Sequence, residues 1–247
     1  MNFINRKNIK ILKSYPKDDS DSRGDEAFFN LAEKIYDPSK HSDIDMDRKI
    51  ENNIHFIWLT QKIPEQYIFH VKIFAELNVD LDIILWVDDC NKSLKIPNVN
   101  VTHYKTIKAF TNEGFFDKST RGAKKADILR YFVILKYGGL YLDIDCQPLK
   151  SLNDVISKSF IMYNNSSRYL HSNAYFAFYK GHSILKFVND MLPLCYEHYD
   201  NILDQCGPTF FSRCIYFLNP DIYSLFILDA HETYWAHLLH GSWTGKP

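Results

Sequence analysis

Several absences narrow what this chain of 247 residues can be. Its net charge is −1, which gives no global electrostatic pull toward nucleic acid or an anionic membrane and leaves only local patches to argue. The five cysteines (Cys90, Cys146, Cys195, Cys206 and Cys214) are scattered and odd in number. No C-x-x-C pair offers a zinc site and no spacing suggests a disulfide framework, so reduced thiols in a cytoplasmic setting are expected. The opening stretch through Glu26 lacks the apolar core, about 7–15 residues long, of a secretory leader. No apolar run approaches the roughly 20 residues of a spanning helix, so any membrane substrate would be met from the surface, as a peripheral contact. Internal repeats and low-complexity tracts are absent too.

What is present suits a packed α/β globule. Hydrophobic residues make up 46% and aromatics 15%, ample for a core, while 24% charge is ordinary for a soluble domain. Residues 1–50 are the most polar. Here "KDDSDSRGDE" reads as a loop, "AFFNLAEKIY" as a short amphipathic helix and "DPSKHSDIDMDRK" as a linker, giving a helical cap or a partly disordered segment. Residues 51–247 form the expected main domain.

From residue 53 the pattern changes. "NIHFIWLT" is a buried strand, "PEQYIFHVKIFAEL" has helical periodicity with Pro64 as a first-turn residue, and "LDIILWVDD" is a second buried strand. Strand, helix and strand within about 35 residues is the spacing of a βαβ unit, which implies a mostly parallel, Rossmann-like sheet. "NVNVTHY" is a third strand. Ligands of such sheets bind beyond the carboxyl ends of the strands. Further on, "SFIMY", "NAYFAFYK" and "IYSLFILDA" read as strands, "HSILKFVNDMLPLCYEHY" as a helix broken near Pro193, and "GPTFFSRCIYFL" as another helix.

The densest signal is "KADILRYFVILKYGGLYLDIDCQPL", Lys125 to Leu149. A helix from about Arg121 to Tyr137 ends at Gly138, placed for a positive-φ cap. The strand after Gly139 alternates, with Leu140, Leu142 and Ile144 on one face and Tyr141, Asp143 and Asp145 on the other. Aspartate is depleted in strands, and two carboxylates this close repel until one takes a proton or a divalent cation binds them. D-x-D alone is weak, as the chance "DIDMD" at Asp43 to Asp47 shows; the helix–Gly-Gly–strand setting strengthens it. Asp127 and Arg130 share a helix face at i, i+3. Spacing alone leaves open whether they are a surface ion pair or project into the same pocket as Asp143.

The blocks "NIHFIWLT", "KADILRYFVILKYGGLYLDID", "GPTFF" and "HLLHGSW" resemble the D-x-D sugar transferases (glycosyltransferase family 32-like). That group is related to yeast α-1,6-mannosyltransferase, α-1,4-galactosyltransferase and the glucosyltransferase domains of clostridial toxins. The resemblance spans about residues 53–244 and implies a GT-A fold and a hexosyltransferase that retains anomeric configuration. It also implies a nucleotide-sugar donor, UDP-hexose before GDP-mannose, and Mn²⁺ as the metal, with Mg²⁺ as an alternative. The acceptor it implies is a glycan, or a host protein as in the toxins.

Carried over position by position, Ile57 and Trp58 would lie beside the donor base, with Trp58 stacking on it. Asp127 and Arg130 would contact donor sugar and ribose, and Tyr141 would line the nucleotide site. Asp143 would bind ribose and touch the metal, and Asp145 would be its main protein ligand. Asn173 would sit near the donor sugar. In the tail, His237, Gly241, Ser242 and Trp243 match the family ending. His237 would be a third metal ligand or diphosphate contact, a role His240 could take instead. Ala126 replaces the family's usual serine, which removes one hydroxyl near the donor. Lys124, Lys125 and Lys246 are candidate helpers for the leaving diphosphate. A nucleophile is not announced; Asp229 and Glu232 qualify by position only, and a front-face route needs neither. Two rival classes are a phosphotransferase using Asp143, opposed by Gln147 where threonine is needed, and a non-catalytic donor-binding module.

Overall fold

A computed structural model of the chain describes residues 19–42, 45, 47–153, 156, 160–163, 171–218, 226–227 and 234–238. Helices α1 (Asp19–Ile35) and α2 (Pro38–His41) lead into β1 (Asn53–Trp58), α3 (Glu65–Leu77) and β2 (Asp82–Val87). Then come β3 (Val99–His103), α4 (Glu113–Lys118), α5 (Gly122–Tyr137), β4 (Gly139–Leu142) and β5 (Cys146–Pro148). The chain continues through β6 (Phe160–Tyr163), β7 (His171–Phe178), α6 (Ser183–His198), α7 (Ile202–Gln205) and α8 (Pro208–Leu218). Strands β8 (Phe226–Ile227) and β9 (Trp235–His237) close the described part.

Seven strands form one sheet in the order β3-β2-β1-β4-β7-β6-β8. The first four of that order are parallel, with Asn53 opposite Asp82 and Trp58 opposite Val87 in the expected β1-α3-β2 unit. Strand β7 is antiparallel to β4 and β6, and β8 is parallel to β6. The mostly parallel α/β sheet expected from the sequence is therefore present. Strand alternation divides the core. Ile57, Trp86 and Tyr141 face α5, α6 and α8, while Phe56, Leu85 and Leu140 face α3. No described helix is long and apolar enough to cross a membrane. All five cysteines are free thiols, and only Cys90 is exposed.

Four local expectations are corrected. Residues 19–26, read as loop, belong to α1. Phe28, Phe29 and Ala32 on its second half are buried with Phe187 and Phe217, and this docking holds a helix that polarity alone argued against. Pro64 is the N-cap of α3 rather than a first-turn residue. Helix α6 runs unbroken through Pro193. A proline there leaves the Asn189 carbonyl without its helical donor, and the side-chain amide of Asn112 supplies one at 3.1 Å. Most consequentially, β4 ends at Leu142, so the D-x-D lies on a turn, not on a strand face. The Asp143 N–H donates to the Ala174 carbonyl at 2.7 Å, and the Cys146 N–H closes back on the Asp143 carbonyl at 3.0 Å.

The double glycine before β4 is a packing requirement. Gly138 and Gly139 have φ of +70° and +101°. A Cβ on Gly138 would overlap the Glu51 carboxylate, and one on Gly139 would overlap the Asn53 carbonyl of the neighbouring strand.

Candidate functional site

Because β1, β2 and β4 are parallel, their carboxyl ends share one edge of the sheet. That edge carries Trp58, Asp88 and the turn with Asp143 and Asp145. Antiparallel β7 brings its first residues there, including Asn173. Helix α5 starts at the same edge, where the missing side chain of Gly122 admits the Leu59 carbonyl and the Thr60 hydroxyl. Asp127 and Arg130, in its first turns, are thereby carried to the D-x-D.

Arg130 is the hub. Its side chain is only 5% exposed, and its Nη2 lies 3.0 Å from Asp127 Oδ1 while Nη1 lies 3.2 Å from Asp143 Oδ1. It also donates to the carbonyls of Asn173 (2.5 Å) and Ala126 (3.2 Å), and its guanidinium stacks 4.6 Å from the Tyr141 ring centroid. The Tyr141 hydroxyl donates to Asp143 Oδ1 at 2.6 Å, and the Asn173 amide donates to Asp127 Oδ1 at 2.8 Å. Asp127 and Asp143 are each gripped through Oδ1, and no described residue takes either Oδ2. This settles the alternative left by spacing: Asp127, Arg130 and Asp143 do form one cluster. Burial raises the Asp127 carboxyl to about 6 despite the opposing Arg130 charge. Burial likewise raises Asp143, again against Arg130. Arg130 stays cationic because its two carboxylates and Tyr141 outweigh the effect of burial.

Asp145 points the other way round the turn. Its Oδ1 is 3.2 Å from His237 Nε2, and strand β9 is held in place by pairing with β5, Cys146 opposite His237. Burial works against the His237 imidazolium, but the Asp145 hydrogen bond and the charges of Asp143 and Asp145 outweigh it and raise its pKa. With the Cys146 sulfur, these ligand atoms fall within 4.8 Å of one another. Burial keeps the Cys146 thiol protonated by pushing its pKa well up. Carboxylate oxygen and imidazole nitrogen are donors a divalent cation could take here, with the Cys146 sulfur beside them.

The remaining expected residues are placed unevenly. Trp58 is half-buried at the end of β1; its indole N–H donates to the Gln61 carbonyl at 3.0 Å and its rings pack against Tyr67. Ile57 is 3% exposed, so its side chain serves the core and only its backbone is left to meet a ligand. Lys124 is pinned to Gln205 at 2.5 Å and stacks on Tyr196, and Lys125 stacks on Phe116, so neither stands free as a diphosphate helper. Asp229, Glu232, His240, Gly241, Ser242, Trp243 and Lys246 lie outside the described residues.

Two contributors gave no usable sequence signal. His55 is fully buried, accepts from the Trp86 indole on Nδ1 and bonds the Gly138 carbonyl with Nε2, and burial lowers its pKa to about 4. It fixes the β1–β4 junction in neutral form. Tyr67 on α3 has its pKa raised by burial and then by the Asp145 charge.

Residues 64–162 match the family model described as a glycosyltransferase sugar-binding region containing a DXD motif. That match makes the chain similar to the family over fewer than half of its residues. The chain is 29% identical over 163 residues to inositol phosphoceramide mannosyltransferase 3 of Schizosaccharomyces pombe, covering 64% of the chain and 43% of the relative. It is 25% identical over 211 residues to inositol phosphoceramide mannosyltransferase 1 of the same yeast, covering 80% of the chain and 63% of the relative. The chain therefore spans less than two thirds of either relative. Among solved structures, the PaToxG glycosyltransferase superposes with a TM-score of 0.61 at 21% identity, covering 90% of the chain and 83% of that structure. The fold is that of GT-A glycosyltransferase domains, as the resemblance implied.

Proposed function

We propose that this chain is the catalytic part of a metal-dependent hexosyltransferase that retains anomeric configuration. The observation that carries the reading is the carboxyl-edge cluster. One buried guanidinium holds Asp127 and Asp143 by Oδ1, no described residue takes Oδ2 of either, and the Asp145–His237 pair lies on the same turn. Asp145 and His237 would hold Mn²⁺, or Mg²⁺ in its place, with the open oxygen of Asp143 adjoining. A bound divalent cation there supplies neutralising charge for a nucleoside diphosphate leaving group.

The chain's own residues do the rest. Asp127 Oδ2 accepts from hydroxyls of the donor sugar, and Asp143 Oδ2 from the ribose. Trp58 offers a half-exposed aromatic face to the base. Arg130 is a positioning residue in this scheme: four of its five N–H donors face protein acceptors, so it chiefly sets the carboxylates. Residues 51–247 would form the catalytic domain, with α1 as a docked cap. The proposed donor is a nucleoside-diphosphate hexose. UDP-hexose follows from the motif resemblance, and GDP-mannose from the relatives that are named mannosyltransferases. Those names also support a glycan or glycolipid headgroup as acceptor, reached from the cytoplasm or a membrane surface.

Hydrolysis of UDP-glucose and GDP-mannose, with and without Mn²⁺, tests the reading. Wild type should hydrolyse one of them slowly and only with metal. Asp145→Ala should reduce that rate by about 10²-fold or more while Tm stays close to wild type. Turnover indifferent to both metal and substitution would sink the proposal.

A further inference from the structure

Tyr131 has no place in the reading above, yet its hydroxyl is tied into the site. The ring is fully buried, with Phe176, Phe210 and Phe211 at centroid distances of 5.9, 5.8 and 5.5 Å. Phenylalanine would serve that packing equally well, so the hydroxyl needs its own reason. It donates to the Cys206 carbonyl at 2.8 Å and accepts from the Asn173 amide at 3.0 Å. That same amide makes the 2.8 Å bond to Asp127 Oδ1. Both amide hydrogens of Asn173 are therefore committed inside the protein, which leaves none for a donor sugar.

The acceptor end of this chain of bonds is fixed. Cys206 lies in the turn between α7 and α8, whose Gln205 takes Lys124 at 2.5 Å and donates to the Tyr196 and Tyr199 carbonyls. Gly207 packs so closely that a Cβ would stand 2.8 Å from Leu203 Cα. The turn has no room to follow a hydroxyl that moves.

We propose that Tyr131 is a positioning residue for the donor sugar. Anchored on the Gln205–Gly207 turn, it orients the Asn173 amide, and through it the open Oδ2 of Asp127. The inference rests on the reading that Asp127 Oδ2 meets sugar hydroxyls. Without the Tyr131 hydroxyl the Asn173 amide loses an acceptor and its reason to hold one rotamer, so Asp127 keeps only Arg130 as a fixed partner. The loss falls on the hexose, because the nucleoside diphosphate is held elsewhere.

Calorimetric Kd values for UDP, UDP-glucose, GDP and GDP-mannose with Mn²⁺ test this on wild type, Tyr131→Phe, Asn173→Ser and Asp127→Asn. In Tyr131→Phe the Kd of the bound nucleotide sugar should rise about 3- to 10-fold, the worth of one neutral hydrogen bond. The Kd of its nucleoside diphosphate should stay within about twofold. Equal weakening of both ligands, or no change in either, overturns the inference. If Tyr131→Phe does not fold, Asn173→Ser interrupts the same chain and is held to the same criterion. If Asp127→Asn also leaves the sugar-to-diphosphate ratio at its wild-type value, it is the underlying reading of Asp127 that falls. A collapse in Asp127→Asn with none in Tyr131→Phe overturns the positioning role alone.

Discussion

Asp143 and Asp145 stand two residues apart on one turn and belong to different structural regimes. Asp143 is fastened by a helix and two strands: Arg130 from α5, the Tyr141 hydroxyl from β4, and a backbone bond to Ala174 on β7. Asp145 faces His237, which comes from a three-residue strand in a two-stranded ribbon outside the main sheet. A ribbon that small is marginal by itself. The comparison teaches a division of labour. One half of the site is built by the fold before any ligand arrives, and in the proposed function the other would reach its final geometry with a bound cation.

The sharpest way to break the comparison is Arg130→Met. The substitution keeps most of the side-chain volume and leaves two partly buried carboxylates, Asp127 and Asp143, without their cation. Removing one partner of such a buried network should destabilise by about 3–5 kcal/mol. For a chain of this size that is a fall of about 10 °C in Tm, read by calorimetry. A loss below about 1 kcal/mol would mean that the cluster is solvated and not pre-built.

His237→Ala probes the other half and should behave in the opposite way. Stability should fall less than in Arg130→Met, because one ion pair is lost rather than two, while Mn²⁺ affinity falls about 10- to 100-fold. The sign of its pH dependence follows from the raised imidazole pKa. Metal must displace a proton held more tightly than usual, so wild-type affinity climbs as pH rises through and above the ordinary histidine range. The variant should show a flatter profile. A Mn²⁺ titration at several pH values, followed by calorimetry, distinguishes the two curves.

How much of this was legible in the residues divides along the same line. The helix to Tyr137, the glycine stop and the parallel sheet were readable because long periodic runs and a βαβ spacing are local signals. The end of β4 was not. Leu140, Leu142 and Ile144 alternate in the same way whether the strand stops at Leu142 or continues, and the turn after it is marked by the Cys146 N–H closing back on the Asp143 carbonyl. Pro193 misled because the group that rescues its helix, Asn112, is remote in sequence. Sequence proposed Asp127, Arg130 and Asp143 as neighbours, but could not show that the guanidinium would be consumed in holding the other two. His55 and Tyr131 carried no signal, because a buried histidine or tyrosine in an apolar run looks like ordinary core.

The smallest effect concerns strain in the pre-built half. Thr60 follows β1 at the carboxyl edge with φ of +78°, a region β-branched residues rarely enter. It is held there by Asp88, whose carboxylate accepts the Thr60 N–H at 2.5 Å and also the Cys90 N–H at 3.1 Å, and the start of α5 closes over it at Gly122. Such a conformation costs about 1–3 kcal/mol when the surroundings over-determine it. Glycine would adopt it freely, offset by about 0.5–1 kcal/mol of extra backbone entropy in the unfolded chain. Thr60→Gly should therefore raise Tm by about 1–4 °C, whereas Thr60→Ala, which keeps the Cβ, should not. The order glycine above alanine is the decisive measurement. If alanine stabilises as much as glycine, the backbone at residue 60 is relaxed in solution, and the pre-built half carries no stored strain.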